Sequence, residues 1–131
     1  MIFPERDRRI NQMEEMIEQW IKDIKTRSDF KDLGMILVHN GMVRATSRDG
    51  KPVKGMHLAC DREKLSGLLE ELGRREGIVE VKAWINEGRL KIGDDIMYAL
   101  VAGKFRTYVI PVLEELVSRI KKEIVSETEI V

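Results

Sequence analysis

The apolar side chains change their spacing several times along this chain, and each change excludes a class of folds. Ile10, Met13, Ile17, Trp20, Ile21 and Ile24 recur at steps of three and four among charged residues and Gln, which predicts an amphipathic helix over residues 5–27. Over Ile78–Ile85 the step becomes two, with Val79, Val81, Ala83 and Ile85 alternating against Glu80, Lys82 and Trp84, the period of a strand. Leu65, Leu68, Leu69 and Leu72 return to the helical step, as do Val109, Val112, Leu113, Leu116, Val117, Ile120 and Ile124. Neither an all-helical bundle nor an all-β sandwich accommodates such a pattern. It predicts an α+β fold.

Turn chemistry divides the remainder. Lys31-Asp32-Leu33-Gly34 ends the first helix region, and Met35-Ile36-Leu37-Val38 opens a strand running toward Val43. Ser47-Arg48-Asp49-Gly50-Lys51-Pro52 is a strong turn signal, because Asp-Gly favours positive φ and Pro fixes its own. Val53–Ala59 then reads as a second strand paired with the first as a hairpin. Asp61 can cap a helix to about Glu76, with Gly77 a better-placed stop than Gly73. Asn86-Glu87-Gly88-Arg89 turns the chain, residues 90–94 connect, and Asp95–Ala102 forms the fourth strand. The last helix starts near Phe105 or Thr107, with Pro111 kinking its first turns or marking the start of the regular helix. The predicted order is α-β-β-α-β-β-α, a mostly antiparallel sheet with helices, as a single domain over 1–131.

Composition narrows the function classes. Lys plus Arg and Asp plus Glu are both 23, so the formal net charge is zero. That argues against a broad nucleic-acid surface, which needs excess positive charge, but leaves room for a cationic pocket. One cysteine, Cys60, and two histidines, His39 and His57, exclude an internal disulfide and point to no metal site or cofactor. The charged start Met1-Ile2-Phe3-Pro4-Glu5-Arg6-Asp7 is unlike a signal peptide, and no 18-residue apolar run predicts a membrane span. A cytoplasmic protein is the expectation.

Three short regions join turn chemistry to a cation: Asn40-Gly41-Met42-Val43-Arg44, Gly103-Lys104-Phe105-Arg106 and Arg119-Ile120-Lys121-Lys122. Arg106 near a helix N-terminus could share an anion with backbone donors. The plain alternatives are a solvated or paired Arg106, a cross-strand ion pair for Arg44 and a solvated Lys121. Lys121 follows Arg106 by fifteen residues, roughly 22 Å of helix, so within one chain the two need not meet. His39 reads as a satisfied, partly buried histidine, His57 as sheet surface and Cys60 as a buried thiol without a catalytic partner. No glycine spacing forms a phosphate-binding loop or dinucleotide fingerprint.

Together these regions resemble the MoaE family, the large catalytic subunit of molybdopterin synthase, from about Gly34 to Glu123. The family's Gly-x-Val-Arg strand end is similar to Gly41-Met42-Val43-Arg44. Its Gly-x-Leu-x-x-Gly-Asp/Glu segment is similar to Gly88-Arg89-Leu90-Lys91-Ile92-Gly93-Asp94. The strand and His-Arg pair that follow correspond to Ile96–Gly103 and Phe105-Arg106, and the spacing onward to the family's first active-site lysine lands on Lys121. The resemblance implies a hammerhead-like α+β core at 34–125 and a homodimer; the helix at 5–27 has no match in the family pattern. It implies that a small ubiquitin-like sulfur-carrier subunit inserts its C-terminal Gly-Gly thiocarboxylate and passes sulfur to a cyclic pyranopterin monophosphate, a step of molybdenum cofactor biosynthesis. By position, Arg44 and Arg106 would bind the substrate phosphate or stabilise developing anionic oxygen, and Lys121 would be the essential amine.

Several positions depart from the family pattern. Its His before Arg is Phe105, its His-Arg-x-Gly motif reads Ile85-Asn86-Glu87-Gly88, and the position of its second lysine is Thr128. The aromatic of its first strand motif is replaced by His39. Lys122 does not replace the second lysine, since one residue rotates a helical side chain by about 100°. Two expectations follow: a sulfurtransferase subunit using Arg44, Arg106 and Lys121, or a non-catalytic protein on the same scaffold that binds a ubiquitin-like carrier or an anionic small molecule.

Overall fold

Among the described residues of the computed structural model every strand pairing is antiparallel, and the strands form two three-stranded sheets rather than one. The structure describes residues 5–27 and 29–131, with side chains from Met13 onward; the predicted apolar contribution of Ile10, and the Met1–Pro4 start, lie outside the described residues. Helix α1 spans Glu5–Lys25, β1 Met35–Met42, β2 Gly55–Cys60, α2 Arg62–Gly73, β3 Ile78–Ile85, β4 Gly88–Lys91, β5 Asp95–Gly103, α3 Arg106–Arg119 and β6 Val125–Ile130. A short 3₁₀ turn at Phe30–Asp32 precedes β1, and one π-helical turn at Ile120–Ile124 joins α3 to β6. The architecture is the expected α+β class.

The first sheet has the order β1-β5-β3, and its central strand is buried on both faces. Met97, Ala99 and Val101 of β5 join the main core with Leu68 and Leu72 of α2 and Val109, Val112 and Leu116 of α3. Leu100 and Ala102 face the other way, where Trp20, Ile21 and Ile24 of α1 cover them. Trp20, Ile21 and Ile24 of the helical stripe predicted for residues 5–27 are therefore packing surface, with the Lys82 ammonium 5.8 Å above the Trp20 ring. A bulge between Ile78 and Glu80 turns Val79 toward α1 while Val81 and Ala83 stay with the main core, so the predicted alternation of β3 holds only beyond it.

The predicted β1–β2 hairpin does not form. The turn itself does: Ser47 N–H donates to Lys51 O at 2.8 Å, Gly50 takes φ +81°, and Thr46 bridges Pro52. Its two flanks enter different sheets, for a reason visible in their side chains. β1 carries apolar groups on both faces, Met35 and Leu37 toward the main core and Ile36 and Val38 toward α1, so it belongs beside the doubly covered β5. In β2 only one face is apolar, with Leu58 buried while His57 and Ala59 are exposed. β2 instead centres the second sheet, β4-β2-β6.

Two strands of that sheet were not predicted. β4 has four residues with only Leu90 buried, too short to show a period. β6 carries Ser126, Glu127, Thr128 and Glu129 between Val125 and Ile130, and backbone pairing with β2 rather than apolar side chains holds it. The end of α2 is also corrected: Asp61 caps it, accepting from Lys64 N–H at 3.1 Å, but the helix stops at Gly73. Gly77 serves the turn into β3 instead, at φ +76° against the Tyr108 ring. Pro111 sits inside α3, which begins at Arg106. Among the described residues, no helix is long and apolar enough to cross a membrane.

Candidate active site

Lys121 owes its position to a break in helical period. After Arg119 the chain makes a single π turn, closed by the Val125 N–H donating to Ile120 O five residues back. Such single turns are rare and frequent at functional sites. Ile120 and Ile124 are buried in the main core and anchor the turn. The Asp61 N–H donates to Ile124 O at 2.9 Å, tying it also to the start of α2. Lys121 stands on the exposed side of this anchored turn.

Backbone bonds place Arg44. Val43 N–H donates to Asp94 O and Gly93 N–H donates to Val43 O, both at 2.9 Å, while the Val43 side chain is buried. This clamp, between the end of β1 and the β4–β5 turn, fixes the point from which Arg44 leaves the sheet.

The two residues meet in one cavity of about 570 Å³, between the end of β1 and the second sheet. That volume lies in the range of about 300–1,000 Å³ usual for small-molecule sites. Beside Arg44 and Lys121, its walls carry His39 from β1, Arg48 from the turn, and Glu127 and Glu129 from β6. Met56 and Met97 contribute apolar surface. Among the described residues, Arg44, Arg48 and Lys121 make no hydrogen bond or ion pair, so the cross-strand ion pair considered for Arg44 is absent. Three cations against two carboxylates in one concave site, with no ion pair formed among the described residues, favour an anionic ligand, since bonds with an ionised partner are about twice as strong as neutral ones.

Arg106 is elsewhere. It opens α3 beside a separate, shallow depression formed with Gly34, Met35, Lys104, Phe105 and Thr107. It too is unpaired among the described residues, and its neighbour Phe105 is 62% exposed. Lys104, by contrast, pairs with Asp32 at 3.6 Å. Within one protomer the fold brings together two of the three predicted site residues and leaves the third apart.

His39 is half-buried at the cavity, with no hydrogen bond to another described residue, which differs from the satisfied histidine expected. Burial, and then the charge of Lys121, push its pKa below the ordinary 6.5, so the ring is neutral at pH 7. Burial raises the Cys60 thiol, with Glu87 adding to the effect, the behaviour of an inert cysteine. No three His, Cys, Asp or Glu side chains gather into a metal-binding group among the described residues. Sequence reasoning did not find Arg48, Glu127 or Glu129 as cavity residues. Arg48 was read only as part of a turn, and the glutamates lie on the unpredicted β6.

The MoaE protein family model matches residues 9–123, reaching back into α1 and beyond the Gly34 limit of the motif resemblance. An uncharacterized protein of Methanocaldococcus jannaschii is 31% identical over 126 residues, covering 93% of this chain and 98% of its own. Molybdopterin synthase from Staphylococcus aureus superposes with a TM-score of 0.65 at 21% identity, covering 75% of this chain and 74% of that one. The protein–protein complex of subunits 1 and 2 of molybdopterin-converting factor from Helicobacter pylori contains a chain that superposes at 0.68 and 16% identity, covering 89% and 77%. At these identities the structural likeness carries the fold.

Proposed function

As the chain belongs to the MoaE protein family, we propose that it is a molybdopterin-synthase-like subunit that transfers sulfur from the C-terminal thiocarboxylate of a small carrier protein to a cyclic pyranopterin monophosphate. The observation that carries this reading is the meeting of Arg44 and Lys121 in one cavity, neither forming an ion pair among the described residues. A phosphorylated substrate and a thiocarboxylate both bring negative charge, and cations held ready by an anchored turn and a clamped strand end stabilise it without reorganising. In this reading Arg44 holds the phosphate. The Lys121 ammonium stands beside the carrier's thiocarboxylate, donating a proton or a hydrogen bond to the oxygen that gains charge. The Helicobacter pylori complex, which pairs subunits 1 and 2, supports a small-subunit partner.

Arg106 enters the site from a second copy of the chain. It is exposed at the start of α3, unpaired among the described residues and outside the cavity of its own protomer. A homodimer in which each protomer lends Arg106 to the other's cavity unites all three residues. The exposed Phe105 beside it is suited to burial in such a contact.

Mixing the protein with a thiocarboxylated carrier and the pterin precursor tests the reaction. Dithiolene product is expected; its absence with a competent carrier rejects the activity. One observation favours the second reading, a binding protein without turnover: Glu127 and Glu129 line the cavity on the strand whose Thr128 stands at the family's second-lysine position. Carrier binding with no product, unaffected by Lys121→Ala, is the result that selects it.

A further inference from the structure

We propose that His39 is the general base of this cavity, taking the proton from the water that cleaves the acyl–sulfur bond between carrier and substrate. The proposal rests on the sulfur-transfer reading above. Once the carrier's sulfur has bonded to a substrate carbon, carrier and substrate are joined as a thioester, and sulfur is delivered only when water cleaves it. Water oxygen adds to the carbonyl carbon while one of its protons passes to the unprotonated ring nitrogen of His39. The tetrahedral oxyanion is held by the cations of the cavity. The C–S bond then breaks with its electron pair going to sulfur, leaving a carrier carboxylate and a substrate thiolate. The second water proton and the one on His39 pass to solvent, and nothing is oxidised or reduced.

Three placements support this role. His39 lines the same cavity as Arg44 and Lys121, so base and oxyanion-stabilising groups share one concave site. Its ring makes no hydrogen bond to another described residue, so neither nitrogen is committed to the fold. Two residues along β1 stands Gly41, where a Cβ would touch Nε2 at 3.5 Å; the glycine, having none, leaves that nitrogen uncovered on this side. His57 offers nothing similar, being exposed on β2 outside the cavity.

The surroundings also set the protonation state. Lys121 faces His39 from the π turn, Arg44 and Arg48 from the segment after β1, and Glu127 and Glu129 from β6; β2 and β5 present Met56, Ile96 and Met97. Burial and Lys121 hold the imidazole below 6.5, so it is unprotonated at neutral pH and the acid limb of its activity lies below 6.5.

The test is single-turnover hydrolysis in ¹⁸O-labelled water from pH 5 to 8. Release of carrier carboxylate and survival of the carrier–substrate conjugate are followed by mass. In the native protein the label enters the carrier carboxylate, and the rate falls in acid. His39→Ala is expected to slow conjugate hydrolysis roughly 10²–10⁴-fold, to let the conjugate accumulate, to lose the acid limb and to regain rate with added imidazole. His39→Asn, checked for an unchanged thermal midpoint, should show the same block. Unchanged rate and pH profile in both variants overturn the proposal while leaving sulfur transfer intact. No thiocarboxylate consumed by the native protein overturns the sulfur-transfer reading and this proposal with it.

Discussion

Two groups of cations in this molecule have opposite fates. Along the seam between α2 and α3, Arg75 donates both ends of its guanidinium to Glu115 at 3.0 and 2.9 Å. Arg119 pairs there with Glu71, Glu115 and Glu123. Two residues beyond Arg119, Lys121 has no acidic partner among the described residues, and neither do Arg44 and Arg48, although Glu127 and Glu129 stand in the same cavity walls. A neutral protein has carboxylates enough for its cations. Where the geometry spends them fully the arginines hold two helices together, and where it withholds them an anion from outside can complete the site.

If that division is real, removing a cavity cation should damage function and spare the fold. Lys121→Ala is the largest case. Sulfur transfer should fall by about 10²–10³-fold, the usual loss when a group stabilising transition-state charge is removed. Stability should change by no more than about 0.5 kcal/mol, because the side chain is exposed and unpaired among the described residues. Turnover assays beside denaturant melts check both numbers. A large loss of stability with retained turnover would place Lys121 with the seam arginines instead.

Arg44 and Arg106 sharpen the comparison by separating protomers. Arg44→Ala and Arg106→Ala should each weaken transfer by tens-fold, in line with a charge-assisted contact worth about 1.5–3 kcal/mol. If Arg106 acts across a dimer, the two weakened variants mixed and allowed to exchange subunits should recover activity, since each mixed dimer has one cavity with both arginines. No recovery from a mixture shown to contain mixed dimers would confine each arginine to its own protomer.

The sequence made much of the scaffold legible and rather less of the site. The Asp61 cap, the stripe of α3 through Ile124 and the period of β3 beyond its bulge are local patterns, and they hold. The β1–β2 hairpin was misread because the turn at Ser47–Pro52 is local while the choice of partner strand depends on which faces are buried. Arg44 and Lys121 were legible as cations beside turn chemistry, but their meeting required β2 and β6 to form a second sheet. Glu127 and Glu129 stayed hidden because a strand held by backbone pairing has no hydrophobic period to read.

The cavity carboxylates offer a gentler perturbation. Glu127→Gln removes one negative charge from a wall shared with Arg44 and Lys121. An anionic ligand should bind more tightly by several-fold, because unit charges about 4 Å apart in water interact by about 1 kcal/mol. Titration with inorganic phosphate measures this, and the gain should shrink as salt is raised. Unchanged or weaker phosphate binding would mean that the anion site lies beyond the reach of β6.

The seam should give the smallest and most condition-dependent response. Arg119→Ala takes one shared cation from Glu71, Glu115 and Glu123. The Arg119 hydrogen bond is the main cause holding the Glu71 carboxyl below 4.5, and Arg75 does the same for Glu115, with Arg119 adding to it. A carboxyl whose pKa is lowered on folding stabilises the fold at pH values above its unfolded pKa. That contribution is lost as pH falls through the depressed folded value. The variant should therefore melt below the native protein at pH 7, and the two midpoints should converge in acid, below 4.5. They should also converge in 1 M salt, where screening acts over only about 3 Å. A deficit that persists unchanged in acid would mean that Arg119 stabilises through packing of its stem rather than through charge.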